Sequence, residues 1–450
     1  MKFIYLFIFG CCFTLPAQEI LSEKERAILK DEILADRFDT LLPQLMDATG
    51  IDMWLLISRE YNEDPVMRTM LPATWLNARR RTMIVFYRNK EDNTFEKLAI
   101  ARYDIGESIS SAWNKEEQPD QWKALVDIIK NKDPKKIGIN TSNDFGIADG
   151  LVQTDYAALK NALPIEYQDK LVSAEKLSIA WIETRSQKEM ELYPTLVKIT
   201  HAIIDEAFSA KVIIPGESTK VISVGTTTTD DVVWWMRQKV SDLGLETWFH
   251  PTVDVQRNKE ELKSHIYSFS KGEEEKLIIP GDLLHCDFGI TYIGLNTDCQ
   301  QHAYVLKENE IKVPDFLSEA FKKGNRVQDI FTSNFKEGQS GNLILLKSLK
   351  DAKEEGLRPS IYTHPLGVYG HSAGPAIGMW DSQGGVPGTG DYPLHYNTVY
   401  AIELNTTVEI KQWKKDIRIM LEEDGFYGEN GFRYIDGRQE KIKTVNPNAY

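Results

Sequence analysis

The sequence predicts two consecutive folded domains, an α/β domain followed by an α+β domain. The chain has 450 residues, of which 42% are hydrophobic, enough for more than one packed core. In residues 20–180, strand patterns alternate with helical ones, which favours a mostly parallel or mixed sheet. In residues 186–445, two helical stretches precede a series of strand patterns that favours antiparallel pairing. We expect the boundary near residues 179–185.

The elements of the first domain follow from the spacing of its apolar residues. Helices are predicted where apolar residues recur three or four positions apart, at 23–49, 122–132 and 154–163. Buried strands are predicted where short runs are almost wholly apolar, at 52–57, 82–87 and 136–140. This half of the sequence contains no cluster of catalytic residue types, so the chemistry is expected in the second domain.

The second domain is predicted to begin with a charged helix at 186–210 and a more apolar helix at 228–243. After these two helices, strand patterns dominate, at 283–290, 294–306, 399–410 and 416–423. Two helices followed by curved antiparallel strands indicate an α+β domain.

The charge balance restricts the classes of partner. Charged residues make up 27% of the chain, and the formal net charge is −14. The longest basic run, Arg79-Arg80-Arg81, does not offset this negative charge. The balance therefore argues against nucleic acid and against an anionic membrane surface as partners.

The N-terminus has the pattern of a signal peptide. Lys2 is followed by an almost wholly apolar stretch at 3–15, and Ala17 provides a small residue for cleavage before Gln18. The stretch is too short for a stable membrane span. We expect residues 1–17 to be removed and the protein to be exported, to a periplasm or outside the cell. A lipoprotein is the alternative, because Gly10-Cys11 loosely resembles a lipidation site.

Two cysteines remain after the predicted cleavage, Cys286 and Cys299. Each stands next to an aspartate of interest in the second domain. We interpret them as small core residues. A disulfide is the alternative in an oxidising compartment.

Two aspartates are placed to meet across a hairpin. Asp287 lies in one strand pattern, and Asp298 lies 11 positions later in the returning one. A reversal at 292–294 can bring both side chains to the same face of neighbouring strands. A buried carboxylate needs a compensating partner. That partner is either an Arg or Lys side chain or a metal ion.

A histidine pair follows in a glycine-rich, aromatic turn. His364 and His371 are seven positions apart. A single histidine is more often an ordinary surface or core residue, but two in such a turn favour a site. Gly367 and Gly370 are expected to let the backbone approach a ligand closely.

Two glutamates complete the candidate set. Glu403 interrupts an otherwise apolar strand and therefore needs a partner. Glu422 is followed by Glu423 and Asp424, a pattern that a solvated strand end would also explain. Because alternate residues of a strand face opposite sides, only one of Glu422 and Glu423 can point into a site. Glu422 is the predicted ligand, and Glu423 is the alternative.

The candidate metal ligands are therefore four carboxylates and one imidazole: Asp287, Asp298, His364, Glu403 and Glu422. Carboxylate oxygen and imidazole nitrogen suit hard or borderline divalent ions, of which we expect Mn²⁺, with Co²⁺ and Zn²⁺ as alternatives. Four carboxylates carry more negative charge than one divalent ion neutralises. The set therefore predicts two ions sharing one site, the arrangement of two-metal hydrolases.

The order of these residues resembles that of the pita-bread metallopeptidases, which include Xaa-Pro aminopeptidases, prolidases and methionine aminopeptidases. Gly-Asp-Leu-Leu-His-Cys-Asp-Phe-Gly at 281–289 resembles the family's first-aspartate strand. Residues 364–371 resemble its His-x-x-Gly motif with a second His seven positions on. The similarity covers about residues 186–440. The preceding residues resemble the N-terminal domain of the creatinase, prolidase and Xaa-Pro aminopeptidase branch, which methionine aminopeptidases lack.

The resemblance implies a C-terminal pita-bread fold, a curved antiparallel sheet with helices, after a smaller creatinase-like α/β domain. It implies a dinuclear exopeptidase that hydrolyses peptides, above all at Xaa-Pro bonds, and a homodimer. By this resemblance, Asp298 and Glu422 share both ions, while Asp287 holds one ion and His364 the other. Glu403 binds metal and transfers a proton. His371 contacts the substrate. A further catalytic histidine is implied upstream, for which His265 is the candidate and His250 the rival.

The sequence departs from the family at positions beside these ligands. Leu404-Asn405 replace a usual Pro-Gly, and Cys299-Gln300-Gln301 replace a usual Ile-Thr-Arg. Arg418 lies four residues before Glu422, where the family often has an arginine two before. Two other functions stay open: a metal-free hydrolase of the creatinase type and a non-catalytic binding module on the same fold.

Overall fold

The computed structural model describes residues 20–215, 226–258 and 277–446. The predicted signal peptide at 1–17 and the candidate His265 lie outside these ranges. Within them, no helix combines the length and the apolar character that a membrane crossing requires.

The first half of the chain forms one helix-rich unit around a sheet. Its helices are α1 (Glu23–Asp36), α2 (Leu42–Thr49), α3 (Pro65–Arg68), α4 (Gln121–Lys132), α5 (Gln153–Ala162), α6 (Ile165–Gln168) and α7 (Glu175–Glu183). Its strands are β1 (Met53–Arg59), β2 (Arg81–Asn89), β3 (Thr94–Ile100), β4 (Ser110–Ser111), β5 (Ile137–Ile139) and β6 (Leu171–Ser173). The predicted helix at 23–49 is present as α1 and α2, which a π-helical turn at Arg37–Leu41 joins.

These six strands form one mixed sheet in the order β4-β3-β2-β1-β5-β6. The β1–β2 and β2–β3 pairs are antiparallel, and the others are parallel. Trp54 and Leu56 enter one core, while Leu55 and Ile57 enter another on the opposite face. Burial on both faces explains why β1 is apolar from Met53 to Ile57 instead of alternating.

The second half begins with helices α8 (Gln187–Ala207) and α9 (Thr229–Asp242), followed later by α10 (Asp315–Ser333) and α11 (Gly341–Glu354). The strands between α9 and α10 are β7 (Thr252–Gln256), β8 (Leu283–Phe288), β9 (Thr291–Tyr292), β10 (Leu295–Asn296) and β11 (Cys299–Val305). The strands after α11 are β12 (Pro359–Ile361), β13 (His364–Leu366), β14 (Thr398–Ala401), β15 (Leu404–Ile410), β16 (Lys415–Leu421), β17 (Asp424–Gly428), β18 (Gly431–Tyr434) and β19 (Lys443–Val445).

The elements predicted from the sequence for this half were incomplete. The prediction placed two helices first and only strands after them, so it lacked α10 and α11. Helix α10 packs against β15 and β16, and α11 packs against α10 and β12; together they bury Leu317, Phe321 and Leu345. The apolar residues of α10 recur three or four positions apart, so the signal was available in the sequence. Gly324 of α10 allows close approach, since a β-carbon there would lie 2.7 Å from the Ile419 side chain.

The side chains of strand β8 alternate between the apolar core and the opposite face of the sheet. Leu284, Cys286 and Phe288 enter the core beneath α8 and α9. Because side chains alternate along a strand, His285 and Asp287 face the opposite side. Cys286 and Cys299 are both buried free cysteines, in agreement with their interpretation as core residues.

A buried ion network joins the two halves. Glu189 of α8 accepts hydrogen bonds from Arg37 at 2.6 Å and from Arg185 at 2.7 Å. Glu189 also completes the capping box of α8 with Ser186. Removing one member of such a buried network leaves an uncompensated charge, which is strongly destabilising.

Candidate metal centre

One row of side chains crosses adjacent strands on the face opposite the α8–α9 core. Asp287 lies directly opposite Gln300, and Gln300 forms an isolated bridge with Glu422 on its other side. The pairs Ala401–Asp424 and Leu404–Leu421 share one register, which places Glu403 opposite Glu422. Directly opposite residues in antiparallel strands project to the same face. The row therefore runs Asp287, Gln300, Glu422, Glu403.

Asp298 and His364 lie beside this row. His364 Nε2 is 3.6 Å from Asp298 Oδ2 and 3.6 Å from Glu422 Oε1. Ligand atoms of these three residues all lie within 4.8 Å of one another. Asp287 and Glu403 adjoin the trio without belonging to it. The five predicted ligands, Asp287, Asp298, His364, Glu403 and Glu422, are called the carboxylate pocket below.

The atoms of the carboxylate pocket suit a divalent cation. Asp298 Oδ1 and Glu422 Oε1 are buried and have no hydrogen-bond partner among the described residues. His364 Nδ1 is 3.1 Å from the Pro365 carbonyl oxygen. If Nδ1 donates its proton there, the Nε2 lone pair points between the two acids, as in metal-binding histidines. Oxygen and nitrogen donors with unsatisfied lone pairs fit a hard or borderline ion.

Mutual repulsion of the acids is visible in their pKa values. Burial, followed by the charge of Asp298, raises the pKa of Asp287 and of Glu422 well above the usual range. Burial also raises the pKa of Glu403 to about 7, although the charge of His364 opposes this. Burial lowers the pKa of His364, but Asp298 and Glu403 outweigh it, so the net shift is upward. The pocket thus favours positive charge, carried by protons or by a metal.

Glu423 points away from the carboxylate pocket. Its Oε1 accepts hydrogen bonds from Gln301 Nε2 and from the Gln439 backbone N–H, both at 2.9 Å. Its Oε2 lies 2.7 Å from His201 Nε2, and His201 Nδ1 lies 3.1 Å from Asp436 Oδ2. Cys299 Sγ is 3.8 Å from the same His201 nitrogen. These residues, His201, Cys299, Gln301, Glu423 and Asp436, are called the Glu423 cluster.

His371 lies at the edge of the carboxylate pocket. Its ring centre is 4.6 Å from that of His364 and 5.1 Å from that of Trp248. Burial, together with the charge of His364, lowers the pKa of His371. Tyr362, whose backbone N–H donates to the Glu403 carbonyl at 3.0 Å, lies 6.4 Å from the His371 ring.

Two glycines of the loop between His364 and His371 lie against protein side chains. A β-carbon on Gly370 would lie 2.2 Å from the Trp248 ring, and one on Gly367 would lie 3.1 Å from Arg185. The backbone is close to protein side chains at both positions, and the approach of a ligand there stays a prediction. The absence of a side chain at these glycines lets the loop that carries His371 pack closely against Trp248 and Arg185.

The upstream catalytic histidine is the weakest part of the predicted site. His265 is outside the described residues. Its rival, His250, is exposed, with Nδ1 3.1 Å from an Arg237 guanidinium nitrogen and its ring 5.4 Å from that of Trp234. His250 does not belong to the metal-ligand groups found in the described part of the chain.

Sequence reasoning missed two residues at the centre of the site. Gln300 Nε2 donates to Glu422 Oε2 at 2.7 Å and to Glu403 Oε1 at 2.8 Å. Gln300 Oε1 accepts from His285 Nε2 at 2.9 Å. The departure at 299–301 was visible in the sequence, but only the strand register reveals that Gln300 lies between acids.

Comparison with known proteins gives the class of the protein. Metallopeptidase family M24 matches residues 191–432, more than half of the chain, and the chain belongs to this family. This confirms the resemblance to the pita-bread metallopeptidases. A search of curated proteins found no match.

Solved structures confirm the fold class over nearly the whole chain. An X-Pro aminopeptidase from Thermotoga maritima has a TM-score of 0.61 at 16% identity, covering 89% of this chain and 100% of that one. An Xaa-Pro dipeptidase from Bacillus anthracis has a TM-score of 0.56 at 17% identity, covering 93% and 100%. The N-terminal domain of FACT complex subunit SPT16 from chickpea, Cicer arietinum, has a TM-score of 0.53 at 11% identity, covering 94% and 98%.

Proposed function

We propose that this protein is a metal-dependent exopeptidase that releases an N-terminal residue from peptides, with Xaa-Pro bonds as the preferred substrate. The observation that carries the proposal is the pair of unpartnered oxygens, on Asp298 and Glu422, beside His364 Nε2. Membership of family M24 supports metallopeptidase chemistry. The names of two structural neighbours, an X-Pro aminopeptidase and an Xaa-Pro dipeptidase, support the preference for proline.

The proposed cofactor is a pair of divalent ions, Mn²⁺ in the first instance, with Co²⁺ and Zn²⁺ as alternatives. Asp298, His364 and Glu422 would hold one ion, and Asp287 would hold the other together with the shared acids. Glu403 is the fifth proposed ligand. When bound, two such ions supply an activated water and polarise the scissile carbonyl. Two divalent charges would balance the four carboxylates of the pocket.

Glu403 and His371 are the proposed proton-handling and substrate-facing groups. The Glu403 carboxylate lies in the pocket, where its Oε1 accepts from Gln300, and a carboxylate in this position can accept a proton and return it to a leaving amine. His371, with its lowered pKa, is uncharged near neutral pH and can donate a hydrogen bond to a carbonyl oxygen as negative charge develops.

The surroundings of the pocket support exopeptidase action. The loop after His364 is tied to the first half of the chain, where the Tyr369 hydroxyl donates to the Pro65 carbonyl at 2.7 Å. That half would therefore stand as a wall on one side of the site.

The test is metal analysis combined with a substrate panel. Purified protein should contain divalent metal, and a chelator should abolish hydrolysis that added Mn²⁺ restores. Dipeptides and tripeptides with Xaa-Pro, and matched Xaa-Ala controls, would define specificity with Mn²⁺, Co²⁺ and Zn²⁺. Hydrolysis that a chelator leaves intact would instead favour the metal-free hydrolase. Metal binding without hydrolysis of any peptide would favour the binding module.

A further inference from the structure

A cavity separate from the carboxylate pocket lies where the two halves of the chain meet. Its volume is about 320 Å³, and none of the five proposed metal ligands lines it. Helices α1, α3 and α7 form one side, and the β9–β10 turn and the loop before His371 form the other. Cavities of about 300–1,000 Å³ at domain junctions are common binding sites for small molecules. This cavity is called the junction pocket, and its lining includes Lys30, Arg37, Arg68, Trp181, Leu295 and Val368.

The inner walls of the junction pocket are apolar. Leu34, Trp181 and Leu295 line it and are buried. The Trp181 ring is fixed, because its Nε1 donates to the Thr69 hydroxyl at 2.8 Å and it stacks on Phe38 with ring centres 5.6 Å apart. A ligand would therefore meet a preformed apolar surface, which favours a hydrocarbon or aromatic body over a wholly polar one.

The charged groups of the junction pocket are mostly basic. Lys30, Arg37 and Arg68 line it with a single acid, Glu189, in a chain whose formal net charge is −14. That acid is shared, since Glu189 accepts hydrogen bonds from both Arg37 and Arg185. Burial lowers the pKa of Arg37 to about 10; Glu189 opposes this shift, and the charge of Arg185 adds to it. Two buried guanidinium groups thus share one carboxylate, and an anion is the charge that the pocket favours.

The two other cations stand at the mouth of the junction pocket. Lys30 is half-buried and Arg68 is exposed, and neither pairs with an acid among the described residues. Lys30 reaches across from α1, so that its Cε would lie 3.9 Å from a β-carbon on Gly294. Burial raises the pKa of Tyr369 to about 12, and the nearby charge of Arg68 opposes this. An anionic group at the mouth would accept charge-assisted hydrogen bonds from Lys30 and Arg68.

We propose that the junction pocket binds a small organic anion whose apolar body lies against Trp181 and Leu295 and whose charge is held by Lys30 and Arg68. The ligand would also contact Val368, which belongs to the loop that carries His371. The junction pocket and the carboxylate pocket share no residue, so this binding does not depend on the proposed peptidase function.

The test is calorimetric titration of the purified, metal-stripped protein with phenylpropionate and with phenyl phosphate. Without metal, the carboxylate pocket repels anions, so saturable binding reports on the junction pocket. At least one of the two probes should bind to a single site, and the tighter one identifies the class of anionic group. Uncharged phenylpropionamide, and acetate, which lacks the apolar body, should each bind at least tenfold more weakly than phenylpropionate, a difference of about 1.4 kcal/mol.

Variants at the mouth locate the binding. Lys30→Ala and Arg68→Ala should each weaken the tighter probe by about tenfold, the lower end of the worth of a hydrogen bond to a charged group. Lys24→Ala is the matched control, because Lys24 belongs to the same helix as Lys30 but is exposed and lies outside the lining.

Three outcomes would overturn the proposal: neither probe binds, the uncharged amide binds as tightly as phenylpropionate, or the Lys30 and Arg68 variants bind like Lys24→Ala. Crystals soaked with the tighter probe should show it beside Trp181, and density confined to another site would also contradict the assignment. Because neither metal nor hydrolysis enters these measurements, a negative result leaves the proposed function standing.

Discussion

The carboxylate pocket and the Glu423 cluster are acidic sites on opposite faces of the same strands, and their neighbouring glutamates are equally buried. Glu422 and Glu423 each expose only 1% of their surface. Both oxygens of Glu423 accept hydrogen bonds or pair with His201. Glu422 keeps one oxygen without a partner in the described part of the chain. Burial of the acid therefore does not distinguish the two sites, whereas an oxygen without a partner beside an imidazole nitrogen does.

The largest expected difference between the two sites is in metal binding. Asp298→Ala removes an acid from the trio around His364 and should reduce both bound metal and peptide hydrolysis to the level of chelator-treated protein. Metal content by plasma mass spectrometry and hydrolysis of an Xaa-Pro peptide are the measurements. Asp436→Ala, in the Glu423 cluster, is the control and should retain metal. An Asp298→Ala protein with full activity and bound metal would refute the assignment of the pocket.

A second prediction separates chemistry from metal binding within the pocket. Glu403→Gln removes the proposed proton carrier but keeps the size of the side chain. The turnover number should fall by about 10²–10⁴-fold, the usual contribution of general acid–base catalysis. The ion beside His364 should stay bound, because Glu403 lies outside that trio. Turnover within a few-fold of wild type would show that another group handles the proton.

The Glu423 cluster should contribute to the stability of the fold and contribute little to metal binding. Glu423→Gln replaces a buried charged acceptor and should lower the free energy of unfolding by about 1.5–3 kcal/mol, the worth of a hydrogen bond to a charged group. Urea denaturation of wild type and variant measures this difference. Metal content should be unchanged. Loss of bound Mn²⁺ in a variant that is still folded would mean that Glu423 contributes to the metal site.

Glu183 is a third buried acid, which belongs to neither the carboxylate pocket nor the Glu423 cluster. Burial raises its pKa well above the usual range, and its Oε2 has no hydrogen-bond partner among the described residues. The folded protein therefore holds this proton at pH values where the unfolded chain has lost it. Stability should fall as pH rises above about 4.5, by up to about 1.4 kcal/mol per pH unit, until the folded-state pKa is reached.

Glu183→Gln should remove this slope and leave a protein more stable than wild type at pH 8, with a smaller difference at pH 5. Thermal unfolding at both pH values tests the sign. Parallel pH profiles for the two proteins would mean that Glu183 ionises freely in the folded state.

Much of the site was predictable because its residues are anomalies in their local context. Glu403 in an apolar strand and Asp287 in a buried one each require a partner, whatever the fold. The hairpin between Asp287 and Asp298 followed from strand alternation and one turn. Gln300 was not predictable as a site residue, since a glutamine in a strand is unremarkable until its cross-strand neighbours are known.

The sequence alone determined the two-domain order, most of the strands around the pocket and the types of residue that line it. Hydrophobic periodicity, and charged residues within apolar segments, are local properties that can be read without the fold. Only the tertiary structure decided between Glu422 and Glu423 as the residue that faces His364. In the register that pairs Glu403 with Glu422, the side chain of Glu423 projects from the opposite face and contacts His201. Strand pairing between distant segments fixes which face each side chain takes, and a shift of one residue would exchange them.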